Sequence, residues 1–116
     1  MVDIHPTAIV DPKAQLGENV VIGPFANINE DVIIGDEVTV GSGAILDSGT
    51  RIDRKCQIGH YSVLGIAPQD LKYRNEKTTL EIGEGTIVRE FTTLHRGTTY
   101  HKKSTIGKNC FIMTYV

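Results

Sequence analysis

Aliphatic residues recur at every sixth position of this chain, an interval that fits neither the 3.6-residue helix nor the simple alternation of a long strand. The series Ile4, Val10, Leu16, Ile22, Ile28, Ile34, Val40, Leu46, Ile52, Ile58 and Leu64 is unbroken. The same phase resumes at Ile82, Val88, Leu94, Ile106 and Ile112, so two interruptions preserve the register. Self-similarity at a fixed short period is the mark of a repeat architecture in which each unit stacks on its neighbours.

Two residues before each aliphatic position stands a smaller one, as at Ala8, Ala14, Val20, Ala26, Val32, Val38, Ala44, Thr50, Cys56 and Ser62. Residues two apart share one face of a strand. Each hexad is therefore expected to be a short strand with an inward pair, one small and one large. The next residue is often Gly (Gly17, Gly23, Gly35, Gly41, Gly59, Gly83, Gly107) or Asp (Asp11, Asp47, Asp53). Both types tolerate unusual backbone angles, so a tight corner is expected there. Strands of this kind, with no hairpin signal between them, can bury their inward pairs only by coiling and stacking in parallel.

Composition supports burial by repetition. The 116 residues include twelve Gly, no Trp and three Phe, too few bulky side chains for an ordinary layered core. A net charge of −2 suggests no nucleic-acid partner. Runs such as Val20-Val21-Ile22 are far too short to span a bilayer, and MVDIHPTAIV lacks the basic flank and apolar stretch of a secretory signal. A cytoplasmic location is the default expectation. Cys56 and Cys110 both fall on the small inward position, which makes them core filler. In a three-sided coil they would lie roughly 10 to 14 Å apart on one face, too far for a disulfide.

The expected organisation is one β-helix domain over 1–116, with an inserted loop at 65–81 and a short break at 100–104. The first interruption, GIAPQDLKYRNEKTTLE, is polar and charged, and loops that break a rigid scaffold commonly carry function. Both interruptions should cluster on neighbouring turns, gathering Lys72, Arg74, His95, Arg96, Lys102 and Lys103. A phosphate or pyrophosphate suits such a patch. Scattered, solvated surface charge is the plain alternative.

The segments IHPTAIV (4–10), IGPFA (22–26), IAPQDLKY (66–73) and REFTTLHRGT (89–98) resemble the UDP-N-acetylglucosamine acyltransferases of lipid A synthesis. The resemblance covers essentially the whole chain. It implies an all-β fold, a single-stranded left-handed parallel β-helix with three hexads per turn, although parallel crossovers are otherwise right-handed. It also implies acyl transfer from acyl carrier protein to a hydroxyl of UDP-N-acetylglucosamine, a homotrimer with sites between subunits, and neither metal nor cofactor. The residues matching Gln69 and Asp70 contact the sugar nucleotide, that matching Lys72 lies at the active site, and that matching His95 helps bind the phosphates. Amide, carboxylate, Lys and His are the donors and acceptors such a ligand needs.

In the family a histidine general base follows shortly after the stretch matching CFIMTYV (110–116), with a backbone N–H stabilising the oxyanion. That histidine is expected just beyond Val116. Because a stacked coil needs a cap, the chain reads as the N-terminal part of a longer protein, inactive alone. Three other readings stand beside this one. The acceptor could be an amine on a related sugar nucleotide; the coil could be a non-enzymatic scaffold; or His60, His95 and His101 could serve a γ-type carbonic anhydrase zinc site, for which no supporting acid is evident.

Overall fold

A computed structural model describes residues 2–66, 79–95 and 103–112. Each hexad forms a strand, mostly of two residues, and three strands make one coil. The first face stacks Asp3–Ile4, Val21–Ile22, Thr39–Val40, Gln57–Ile58, Ile87–Val88 and Phe111–Ile112. The second stacks Ile9–Val10, Asn27–Ile28, Ile45–Leu46, Val63–Ile66 and Thr93–His95. The third stacks Gln15–Leu16, Ile33–Ile34, Thr50–Ile52, Thr79–Ile82 and Lys103–Ile106. All pairings are parallel, and the register advances by eighteen residues per coil before the first insertion (Asp3↔Val21, Val21↔Thr39). The fold is a left-handed parallel β-helix. No helix among the described residues is long and apolar enough to cross a membrane.

The inward columns form the core. Ile22, Ile28, Ile34, Val40, Leu46, Ile52, Ile58, Leu64, Ile82 and Val88 are buried, with Val20, Ala26, Val32, Val38, Ala44, Cys56 and Leu80 at the other inward position. The buried polar groups there have partners, as burial demands. Ser62 Oγ donates to the Arg89 carbonyl (2.8 Å), Thr86 Oγ1 to Gly107 (2.6 Å) and the Cys56 thiol to Gly83 (3.0 Å). In each case the acceptor begins the corresponding corner of the next coil. Cys56 and Cys110 are both free, and they precede first-face strands two stacking steps apart. Burial pushes the Cys56 thiol pKa up.

The corners differ from the sequence reading. At the regular corners positive φ falls not on the residue after the aliphatic position but two residues later, and mostly on residues other than glycine: Asn19, Phe25, Asp31, Glu37, Lys55, Tyr61, Phe91 and Asn109, all with φ of 54–61°. A positive φ at the second central residue is the mark of a type II turn, and Pro24 takes the favoured place before it. Such angles are disfavoured for side chains larger than glycine. They are tolerated because the N–H so directed bonds the carbonyl of the preceding coil's corner: Glu37 to Glu18 (2.8 Å), Lys55 to Asp36 (2.9 Å), Tyr61 to Ser42 (2.8 Å). Thr7 and Lys13, corner residues of the first coil, do not take positive φ.

Gly59 shows why glycine often follows the aliphatic residue: a Cβ there would lie 2.4 Å from the backbone nitrogen of Glu90 in the next coil. Close stacking, not corner geometry, excludes the side chain. Where Asp replaces Gly, its carboxylate caps the turn, as Asp53 Oδ1 accepts from the Arg54 N–H (2.7 Å).

Candidate functional site

The corner between the second and third faces is closed by ordinary turns in the first three coils, at 11–14, 29–32 and 47–50. In the next two coils the chain departs from it. The second-face strand Val63–Ile66 runs on past its usual end, and the third-face strand resumes at Thr79. One coil later, Thr93–His95 leaves at the same place and Lys103–Ile106 returns. The strands thus reach into both stretches that the sequence reading assigned to breaks, 65–81 and 100–104, because the two excursions pair with each other at their roots. Ile66 is opposite His95, Thr79 opposite Lys103 and Leu80 opposite Ser104.

This corner therefore gathers the ends of both insertions on adjacent coils. His95 closes its strand at that corner. Gln69, Asp70 and Lys72 lie outside the described residues, as do Arg74, Arg96 and Lys102. His60 stands at the other end of the second face, in the turn before Val63, where its Nδ1 accepts the Ser42 N–H (2.8 Å). The backbone thus places His60 and His95 at different corners, and His101 falls outside the described residues. Among the described residues no three His, Cys, Asp or Glu side chains are grouped to hold a metal ion.

Beneath the insertions the corner is firmly tied. Arg51 projects outward from the third face and reaches back one coil, its guanidinium bonding Asp31 Oδ1 (2.7 Å) and the Asp31 carbonyl. Asn29 donates to Asp47 Oδ1 (2.8 Å), which also accepts the Ser48 N–H (2.8 Å). The Leu80 N–H, where the chain comes back from the first insertion, bonds the Gly49 carbonyl (2.9 Å). Of these side chains only Asp47 carries a signal in the hexad pattern, as a corner residue. Arg51 occupies an outward position, which carries no periodic signal.

At the root of the first insertion the pairing slips by one residue. Leu64 is opposite Leu94 but Ile66 is opposite His95, leaving Gly65 as the extra residue of a bulge at φ +81°. Bulges of this kind bend a strand and re-aim the side chains beyond the bend, and they are common beside active sites.

A family model described as bacterial transferase hexapeptide (six repeats) matches residues 13–48. The chain is 44% identical over 115 residues to the acyl-[acyl-carrier-protein]–UDP-N-acetylglucosamine O-acyltransferase of Chlamydia abortus, covering 99% of this chain and 41% of the relative. It is 46% identical to the enzyme of that name from Chlorobaculum parvum, covering 100% and 44%. Among solved structures, the UDP-N-acetylglucosamine acyltransferase of Bacteroides fragilis superposes with a TM-score of 0.93 at 38% identity, over 95% of this chain and 43% of that one. The chain spans less than half the length of the relatives it matches. Over that span it is a hexapeptide-repeat β-helix, similar nearly throughout to part of the UDP-N-acetylglucosamine acyltransferases.

Proposed function

We propose that this chain is the nucleotide-holding part of an acyltransferase that moves an acyl group from acyl carrier protein to the sugar hydroxyl of UDP-N-acetylglucosamine. The observation that carries the reading is the convergence of two insertions on one corner, where the segments with PQDLKY and HRGT leave the coil on adjacent, paired strands. A regular coil needs neither excursion for burial. In this reading Gln69 and Asp70 hold the sugar, while Lys72 and His95 donate to phosphate oxygens. The assembly is a homotrimer in the cytoplasm, and the general base is a histidine outside this chain.

The test is nucleotide binding by the full-length protein, measured by calorimetry. Asp70→Ala and His95→Ala each remove a charged or charge-assisted hydrogen bond, so each should weaken UDP-N-acetylglucosamine binding about 10- to 100-fold. Unchanged affinity in both variants would sink the site assignment. Comparing the hydroxyl nucleotide with its amino counterpart as acyl acceptors separates O- from N-transfer. A scaffold would bind neither.

A further inference from the structure

We propose that Gly65 and Thr50 act together as positioning residues for the nucleotide site: the bulge at Gly65, seated on the Thr50 side chain, sets how the first insertion leaves the coil and which backbone lies beside His95. This rests on the functional reading above.

Elsewhere in the core, Ser62, Thr86 and Cys56 donate to the first corner carbonyl of the following coil. The corresponding acceptor for Thr50 would be Gly65. Thr50 Oγ1 instead turns to the Asp47 carbonyl of its own coil (2.8 Å), with the Leu64 carbonyl at 3.3 Å. Thr50 thus departs from the bonding shared by those three, at the coil where the chain leaves its path. Gly65 lies directly over it: a Cβ at Gly65 would fall 2.0 Å from Thr50 Oγ1, 3.0 Å from the Asp47 carbonyl and 3.3 Å from Thr50 Cβ. Buried backbone and a buried β-branched side chain cannot swing aside, so any side chain at residue 65 must push the strand outward. The φ of +81° disfavours one independently.

The bulge also fixes the pairing. Without its extra residue, residue 65 would face His95; with it, Ile66 does. Side chains alternate between faces along a strand, so losing the bulge would reverse the facing of the chain entering the PQDLKY segment. One glycine therefore links the geometry of both insertions.

The experiment is a double-mutant cycle in the full-length protein with Gly65→Ala, Thr50→Ala and the pair, read by UDP-N-acetylglucosamine affinity and by hydrogen exchange of peptides covering 66–79 and 93–104. Gly65→Ala should weaken binding at least about tenfold, since ångström-scale displacement of binding groups has effects of that order or larger. It should also speed exchange in those two peptides, leaving coils one and two unchanged. Adding Thr50→Ala opens the space under residue 65 and should recover part of both losses. Strictly additive effects, or a folded Gly65→Ala protein with native affinity and exchange, would overturn the proposal.

If Gly65→Ala does not fold, Thr50→Ala alone decides. It removes the seat without touching the bulge, and unchanged affinity and exchange would refute the coupling. A wild-type protein that fails to bind the nucleotide defeats the functional reading, whereas the exchange measurement still reports whether Gly65 positions the insertions.

Discussion

Lys55 holds a φ of +61° with an exposed side chain, and its N–H bonds the Asp36 carbonyl of the coil before. That bond belongs to the backbone, so the side chain contributes strain without contributing to the contact. Lys55→Gly should therefore raise stability by about 0.5–1 kcal/mol, the relief of a left-handed conformation less the added freedom of the unfolded chain. Lys55→Val should lower it by more, because a branched Cβ crowds this conformation further. Urea midpoints of the three proteins check the order. The same logic explains why the corners escaped a reading by residue type. Glu37, Lys55 and Phe25 carry no turn preference, and their angles are supported by hydrogen bonds that exist only once coils are stacked. Cys56, by contrast, was legible from its place in the hexad. Its raised thiol pKa means that, as pH climbs through the ordinary thiol range near 8.5, the unfolded chain loses its proton before the folded one. Stability should fall over that interval, and Cys56→Ala should flatten the alkaline limb of a stability–pH curve.

At the scale of the strand, the six-residue period revealed the faces because burial imposes it: every inward pair must meet the pair above and below. Leu46 is fully buried in the middle of the stack. Leu46→Ala should cost about 2–5 kcal/mol, the range for a truncation that a rigid stack cannot collapse around. Gly59→Ala tests the opposite error. Its added Cβ would meet the Glu90 nitrogen and the Arg89 carbonyl carbon, both backbone atoms of the next coil, so two coils must part. A loss of about 1–3 kcal/mol is expected, read as a lowered melting temperature. The outward positions gave no such signal. Arg51 and Asp31 are ordinary charges in the sequence, and only the coil brings residues twenty apart to 2.7 Å. The bulge at Gly65 was equally hidden, since a glycine after the aliphatic residue is unremarkable in a chain where that place is so often glycine.

The whole molecule separates a regular stack from the corner where two insertions meet, and that separation has a testable consequence. In a solenoid each coil contacts only its neighbours, so stability is close to a sum of coil and interface contributions. Deleting residues 19–36 in the full-length protein removes one complete coil and brings Asp3–Ile4 onto Thr39–Val40, the same face in the same register. Every later strand keeps its face, and the insertions keep their common corner. The shortened protein should fold, lose about 4.8 Å of length, and bind UDP-N-acetylglucosamine with affinity close to that of the parent. The deletion does remove Asn29 and Asp31, bringing Asp11 beneath Asp47 and Lys13 beneath Arg51, so the corner loses a hydrogen bond and an ion pair and gains two like-charge repulsions. Lys13→Asp in the shortened protein should restore the pair and raise the melting temperature. Deleting only 31–36 would instead turn all five strands before it by one face relative to the insertions, setting Gln15–Leu16 against Thr39–Val40 in place of Val21–Ile22. If the nucleotide site belongs to the insertion corner alone, this shorter deletion too should leave affinity near that of the parent. A large loss in both deletions would mean that the first two coils take part in binding directly, and the division between stack and site would have to be abandoned.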